Sequence, residues 1–132
     1  ENQAAVPRMS RLFTVGAKLC TPLIAIFLRK GYGLGAMAMA AGSFAKPVYS
    51  ASWPTGEFGG MGLEGAVHLG FKKELAGTAS AQERDALFDS LVDAAYQRGQ
   101  ATEAAAFLEI DAVIDPADTR AVIIRALAST TT

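Results

Sequence analysis

Apolar positions in the first twenty residues recur at helical spacing. In "RMSRLFTVGAKLC", residues 8–20, Met9, Leu12, Phe13, Val15, Ala17 and Leu19 supply the apolar surface, and Arg8, Arg11 and Lys18 are left for solvent, a pattern that predicts an amphipathic helix. Thr21-Pro22 predicts its end, because proline disfavours helical geometry in the residue before it. The pattern then changes to a continuous apolar run, "PLIAIFL". Such a run predicts a strand buried on both faces, the habit of parallel sheets covered by helices. A small-residue helix is expected from about Leu34 to Ala41, able to pack closely against a neighbouring backbone. Pro47 opens "PVYSASW", a second strand. Helix, strand, helix, strand is the order of an α/β layer fold.

The next stretch, "PTGEFGGMGLEGAVHLGF", holds four glycines between Gly59 and Gly65. They predict a tight loop entering a helix that is closely packed or lies near a ligand. Further on, Ser80 and Glu83 have capping-box spacing. Leu87, Phe88, Leu91, Val92, Ala95 and Tyr96 form an unbroken apolar stripe at helical period, and Gly99 suits the position that closes such a helix. "ATEAAAF" predicts another short helix. "IDPADTRAVIIRAL" predicts a last one, with Asp115 as N-cap, Pro116 at the first position and Asp118 at the third. No internal repeat is visible, and the "STTT" tail is expected to fray.

The chain has 132 residues, half of them hydrophobic, with net charge −1. That length supports one domain with a modest core. Near-neutral charge argues against a nucleic-acid binder and against polybasic attachment to a membrane surface. The apolar run from Leu19 to Leu28 is about half the ~20 residues of a membrane span. Cys20 is the single cysteine. A disulfide framework is therefore excluded, and a reducing, cytoplasmic setting is expected. One His and one Cys also exclude a His/Cys metal cage, so no metal is expected. The chain begins at Glu1 rather than Met, which reads as a fragment or a processed product, and no signal-peptide pattern follows.

Candidate chemistry is sparse. His68 is the only histidine, and nothing in the sequence brings it to Cys20 or a serine, so it reads as a helix-surface or packing residue. Cys20 reads as a small core residue, since nothing nearby would lower its pKa. Capping accounts for Asp115 and Asp118. Glu57 and Glu64 could face a cleft, but a solvated or helix N-terminal role is preferred. Met37 and Met39 read as packing, although Met also lines adaptable apolar pockets. "GYGLG" lacks the last step of a dinucleotide fingerprint, and no Gly-Lys-Ser/Thr phosphate loop is present. What remains is a strand-to-helix turn whose amides point past the strand end. It is suited to an anion or a developing oxyanion, or else is a simple close-packing turn.

The motifs "LRKGYGLGAMAMAAGSF", "SWPTGEFGGMGLEGAVHLGFKKEL" and "IDAVIDPADTRAVI", in that order, closely resemble the C-terminal part of the carboxyltransferase (β) subunit of biotin-dependent acyl-CoA carboxylases. That family includes propionyl-, methylcrotonyl- and acetyl-CoA carboxylases. The likeness runs from about Arg8 to Leu127. It implies a crotonase-type α/β fold, with residues 1–132 forming most of the subunit's second domain and the coenzyme A-holding N-terminal domain absent. In the family, the carboxyl group passes from N1 of carboxybiotin to the α-carbon of an acyl-CoA. One backbone-amide oxyanion hole in the first domain serves the thioester enolate. A second hole, in the second domain, serves the ureido oxygen of biotin.

Matched onto this chain, the second hole falls at the amides of Leu34 and Gly35, with Gly33, Gly35 and Ala36 against the cofactor. Leu34 departs from the Gly or Ala of family members, which a backbone donor tolerates. Met37 matches a position lining the acyl pocket, where propionyl-type members carry Asp and methylcrotonyl-type members an aromatic, so a substrate other than plain propionyl-CoA is expected. Residues Trp53 to Gly65 are expected to wall the biotin pocket. The resemblance further implies a biotin carboxylase and biotin carrier (α) subunit as partner, and other β subunits in a hexamer, with sites shared between subunits. The chain alone is therefore expected to be inactive. Two other readings remain open: the carboxyltransferase subunit of a biotin-dependent acyl-CoA decarboxylase, and a non-catalytic assembly or biotin-carrier-binding module.

Overall fold

The computed structural model describes residues 5–130. The chain runs through α1 (Ala5–Ala17), β1 (Ile24–Phe27), β2 (Lys30–Tyr32), α2 (Gly33–Met39), β3 (Tyr49–Ser52) and β4 (Glu57–Gly59). It continues through α3 (Leu63–Gly70), α4 (Lys72–Ala76), α5 (Ala81–Arg98), α6 (Ala101–Ala106), β5 (Ala112–Val113), a 3-10 turn (Pro116–Asp118) and α7 (Thr119–Ala128).

Two small parallel sheets organise these elements. One has the order β1-β3-β5, with Ile24 beside Tyr49 and Ala51 beside Ala112. The other pairs β2 with β4, Lys30 beside Glu57 and Tyr32 beside Gly59. The chain thus makes two coils of the same plan. Each lays one strand in the first sheet, steps across to the second, and returns through a helix. The steps are stitched together: Trp53 N–H donates to the Phe27 carbonyl, Glu57 N–H to that of Arg29, Ser52 Oγ to Phe27 and Thr55 Oγ1 to Leu28. Backbone groups left open by each crossing find partners in the neighbouring coil.

The core sits between the sheets and α6. Phe58, Ala101, Ala104 and Ile110 are buried, with Phe27 and Phe44 against them. The rings of Phe27, Phe44 and Phe58 meet edge to face at 4.8, 5.0 and 5.7 Å. Such pairs add about 0.5–1.5 kcal/mol each beyond area burial.

Several expectations hold and others need correction. The parallel sheet, the two expected strands and the Ser80 cap stand: Ser80 Oγ accepts from Glu83 N–H, and Glu83 reaches back to the N–H of Ala79. Asp115 caps as expected, accepting from Ala117 N–H at 2.8 Å, although the turn it starts is 3-10 and α7 begins only at Thr119. Helix α1 stops at Ala17, before Thr21-Pro22. Cys20 then lies in the open connector and is exposed rather than part of the core. Strand β1 is half-buried throughout, not buried on both faces, because it is the outer strand of its sheet. The α5 stripe is likewise half-buried, since the helix packs on α3 and α4 alone among the main contacts. Strands β2, β4 and β5 were not anticipated. Of the "STTT" tail, Thr131 and Thr132 lie outside the described residues.

Candidate functional site

The turn from β2 into α2 carries glycine where space is tight and where the backbone turns left-handed. Gly31 is buried on β2, where a Cβ would sit 3.1 Å from both the Phe27 and Phe58 rings. Gly33 has φ +60°, and a Cβ there would stand 2.7 Å from the Gly60 carbonyl oxygen. Close approach of the β4–α3 loop and left-handed backbone therefore both require glycine at this position.

Tyr32, extended at φ −98° and ψ 134°, is the N-cap of α2, and no side chain caps that helix. The amides of Gly33, Leu34 and Gly35 belong to its first turn, where no intrahelical acceptor exists. Leu34 is exposed. At Gly35 a Cβ would meet only the Met9 methyl, at 4.0 Å. The small residues behind the turn do what their size predicts. Ala38 and Ala40 are buried, and α1 passes so near that a Cβ on Gly16 would lie 2.6 Å from Ala41 Cα.

Three cavities lie along these elements, and of the three the first includes the turn residue Gly33. One of about 230 Å³ is lined by Gly33, Met37, Phe44, Phe58, Gly60 and Glu109, among others. Met37 thus joins an apolar hollow beside the turn rather than only packing. A second, of about 390 Å³, lies between β1 and α2 and includes Ala36 and Met39. A third, of about 620 Å³, opens at the carboxyl ends of β1 and β3, among Leu28, Arg29, Trp53, Thr55, Glu57 and Pro116. Strand carboxyl ends are where open parallel sheets hold ligands. Of the stretch expected to wall a pocket, Trp53, Pro54, Thr55 and Glu57 reach this third cavity and Phe58, Gly59 and Gly60 the first.

Beside the turn lie two phenol–carboxylate pairs that sequence reasoning missed. Tyr32 Oη donates to Glu57 Oε2 at 2.6 Å, and Tyr96 Oη donates to Glu64 Oε1 at 2.8 Å. Arg29 Nε lies 3.8 Å from Glu57 Oε1. Burial, then the bond to Glu57 and its charge, push the Tyr32 phenol well above the usual tyrosine range. The Tyr96 phenol is also raised, chiefly by its bond to Glu64. The Glu64 carboxyl is held below the usual range, first by its own backbone N–H and then by Tyr96. Glu64 occupies the first turn of α3, the helix N-terminal role expected of it. Glu57 is half-buried and paired rather than solvated. The only available signal was the two-residue periodicity from Glu57 to Gly59, too short to read as a strand.

His68 stacks on Phe88 at 4.3 Å, a packing role. Among the described residues no helix is long and apolar enough to cross a membrane.

A strand-strand-helix coil repeated in parallel, with an uncapped glycine turn at its crossing, defines a class of α/β fold. Comparison with known proteins specifies it. Residues 9–132 match the model of the carboxyl transferase domain, and the chain belongs to that family. It is 40% identical over 109 residues to the methylmalonyl-CoA carboxyltransferase 12S subunit of Propionibacterium freudenreichii subsp. shermanii, a match covering 80% of this chain and 20% of that subunit. It is 57% identical to a single-chain, multi-domain long-chain acyl-CoA carboxylase of known structure, with TM-score 0.77 over 94% of this chain and 12% of that one. Transcarboxylase 12S, solved as a hexamer with methylmalonyl-coenzyme A bound, superposes with TM-score 0.85 at 29% identity, over 96% of this chain and 24% of that one. The fold is accordingly the crotonase-like α/β fold of carboxyltransferases. The chain spans about a fifth of the curated relative it matches.

Proposed function

We propose that the chain is most of the second crotonase-like domain of a cytoplasmic acyl-CoA carboxylase carboxyltransferase subunit, and that it holds the biotin side of the reaction. The observation carrying this reading is the uncapped first turn of α2, bearing Leu34 and Gly35, in a chain of the carboxyl transferase domain family. Open space adjoins the turn. Cβ positions at Gly60 and Gly62 have nothing within 4 Å, and a Cβ at Gly35 would meet only the Met9 methyl, at 4.0 Å. When bound, carboxybiotin supplies an activated carboxyl group and, through N1, a base for the α-proton. The amides of Leu34 and Gly35 hold the ureido oxygen, and Gly33 and Ala36 keep the backbone close to it. Fixed donors of this kind stabilise developing charge without reorganising, and removing one costs about 10²–10³ in rate.

Met37 faces the acyl group. Its apolar hollow with Phe44 and Phe58, together with the 57% identity to a long-chain acyl-CoA carboxylase, supports a longer acyl-CoA than propionyl-CoA. The partners are a biotin carboxylase and biotin carrier subunit or domain and further copies in a hexamer.

The test is Gly35→Pro in the full-length subunit, assayed with loaded carrier and acyl-CoAs of graded length. A drop of about 10²-fold in kcat with the oligomer intact is expected. Unchanged transfer with the oligomer intact would leave the turn a packing device and this reading wrong.

A further inference from the structure

Tyr32 belongs at once to the second sheet and to the turn. It pairs with Gly59 in the β2–β4 register and is also the N-cap of α2. A tyrosine cannot cap a helix with its own short side-chain oxygen, as Ser or Asp does. Its side chain is instead committed to Glu57, through a part-buried bond of 2.6 Å. That length is typical of a hydroxyl donating to an ionised carboxylate, about twice as strong as a neutral bond.

Glu57 is itself anchored from several sides. Its N–H donates to the Arg29 carbonyl at 2.8 Å. It lies beside Lys30 in register, bridges to Gln100, and its other carboxylate oxygen faces Arg29. The phenol is thus tied to a fixed point, and the next residues along the chain are Gly33, Leu34 and Gly35.

A plain structural staple between β2 and β4 would explain the bond equally well if strand pairing needed one. The two strands, however, already share a three-residue parallel register. Tyr96 and Glu64 form the same kind of bond between α5 and α3, with the Tyr96 phenol next to that of Tyr32.

We propose that Tyr32 and Glu57 are positioning residues for carboxyl transfer: the phenol, held by the carboxylate, fixes the backbone of the N-cap and so aims the Leu34 and Gly35 amides. This inference rests on the oxyanion role given to those amides above.

Its test uses the full-length subunit with its biotin carrier, in steady-state transfer to acyl-CoA. Tyr32→Phe removes only the O–H. A misaim of a fraction of an ångström lowers kcat about 10-fold, given that 1 Å costs on the order of 10²-fold. KM for acyl-CoA stays within about twofold, and thermal midpoint and oligomer match the parent. Glu57→Ala gives a similar loss. The double variant is no worse than either single, as expected when two groups act through one bond. Glu57→Gln keeps an acceptor and recovers most of the loss.

Unchanged kcat in Tyr32→Phe, while Gly35→Pro is impaired, overturns the positioning role and leaves the oxyanion reading standing. If Gly35→Pro is itself harmless, both ideas fall together. Should Tyr32→Phe not assemble, Glu57→Ala against Glu57→Gln decides the matter, and equal kcat in those two refutes it.

Discussion

Gly33→Ala isolates the backbone demand of the turn. At φ +60° an alanine pays the left-handed penalty, about 1–2 kcal/mol. Its Cβ would also arrive 2.7 Å from the Gly60 carbonyl oxygen. That oxygen is backbone, held just past β4, so relief requires the β4–α3 loop to shift. Overpacking of this kind costs about 1–3 kcal/mol. Reduced freedom of the unfolded chain returns about 0.4–1 kcal/mol. The net expectation is a destabilisation of about 2–4 kcal/mol.

Urea unfolding followed by the fluorescence of Trp53, the single tryptophan, reads it directly. With a slope of about 1–3 kcal/mol per molar urea, the midpoint falls by about 1–2 M. Gly35→Ala is the matched comparison. It stands two residues on in the same helix, has no positive φ, and its Cβ would meet only a flexible methyl at 4.0 Å. Helix propensity favours alanine there by about 0.8–1 kcal/mol, so its midpoint holds or rises. Equal midpoints for the two variants would refute the claim that the turn is shaped by Gly33.

Two further expectations follow from named contacts. Asp111 Oδ2 accepts from the Ser50 N–H at 2.7 Å and from Ser50 Oγ at 3.2 Å, and Ser50 is only 2% exposed. Asp111→Ala strands those donors at a cost of about 1–3 kcal/mol, whereas Asp111→Asn keeps one acceptor and loses less; denaturant midpoints decide. The Tyr32 phenol titrates above its ordinary value, so the fold favours the protonated form. Above a pH of about 10 the unfolded chain releases that proton while the folded one keeps it. Stability therefore falls as pH rises through the alkaline range. The decline is expected to be shallower in Tyr32→Phe, and a decline just as steep would remove Tyr32 as its source.

Long patterns in this chain are legible and short ones are not. The run from Ile24 to Phe27 and the β-rich Tyr49–Ser52 announce the first sheet, and the Ser80 and Asp115 caps announce two helix starts. Strands β2 and β4 hold three residues each, with glycine at Gly31 and Gly59. No periodicity can register over that length, and glycine erases the β-propensity that would mark them. The pairing of Tyr32 with Glu57 is invisible for the same reason, since it follows from the register of those two strands. Exposure of Cys20 and the half-burial of β1 depend on which elements lie alongside, which apolar runs do not encode. The turn amides became a functional proposal through the ordered motifs around them, not through glycine spacing alone.

The coiled plan also bears on how the chain reaches its fold. Every strand pair between β1 and β5 is parallel, so among the described residues no hairpin is available to start a sheet. Strand β3 must meet β1 across the whole of β2 and α2, and β5 must then find β3 from beyond α6. Loops of that size have to close before any of the pairing rewards them. Sheets dominated by such distant contacts form slowly, with strand edges exposed in the meantime. The middle strand, β3, is the one element both distant pairings share: Ala51 lies between Ile26 and Ala112, so a change that displaces it breaks both at once.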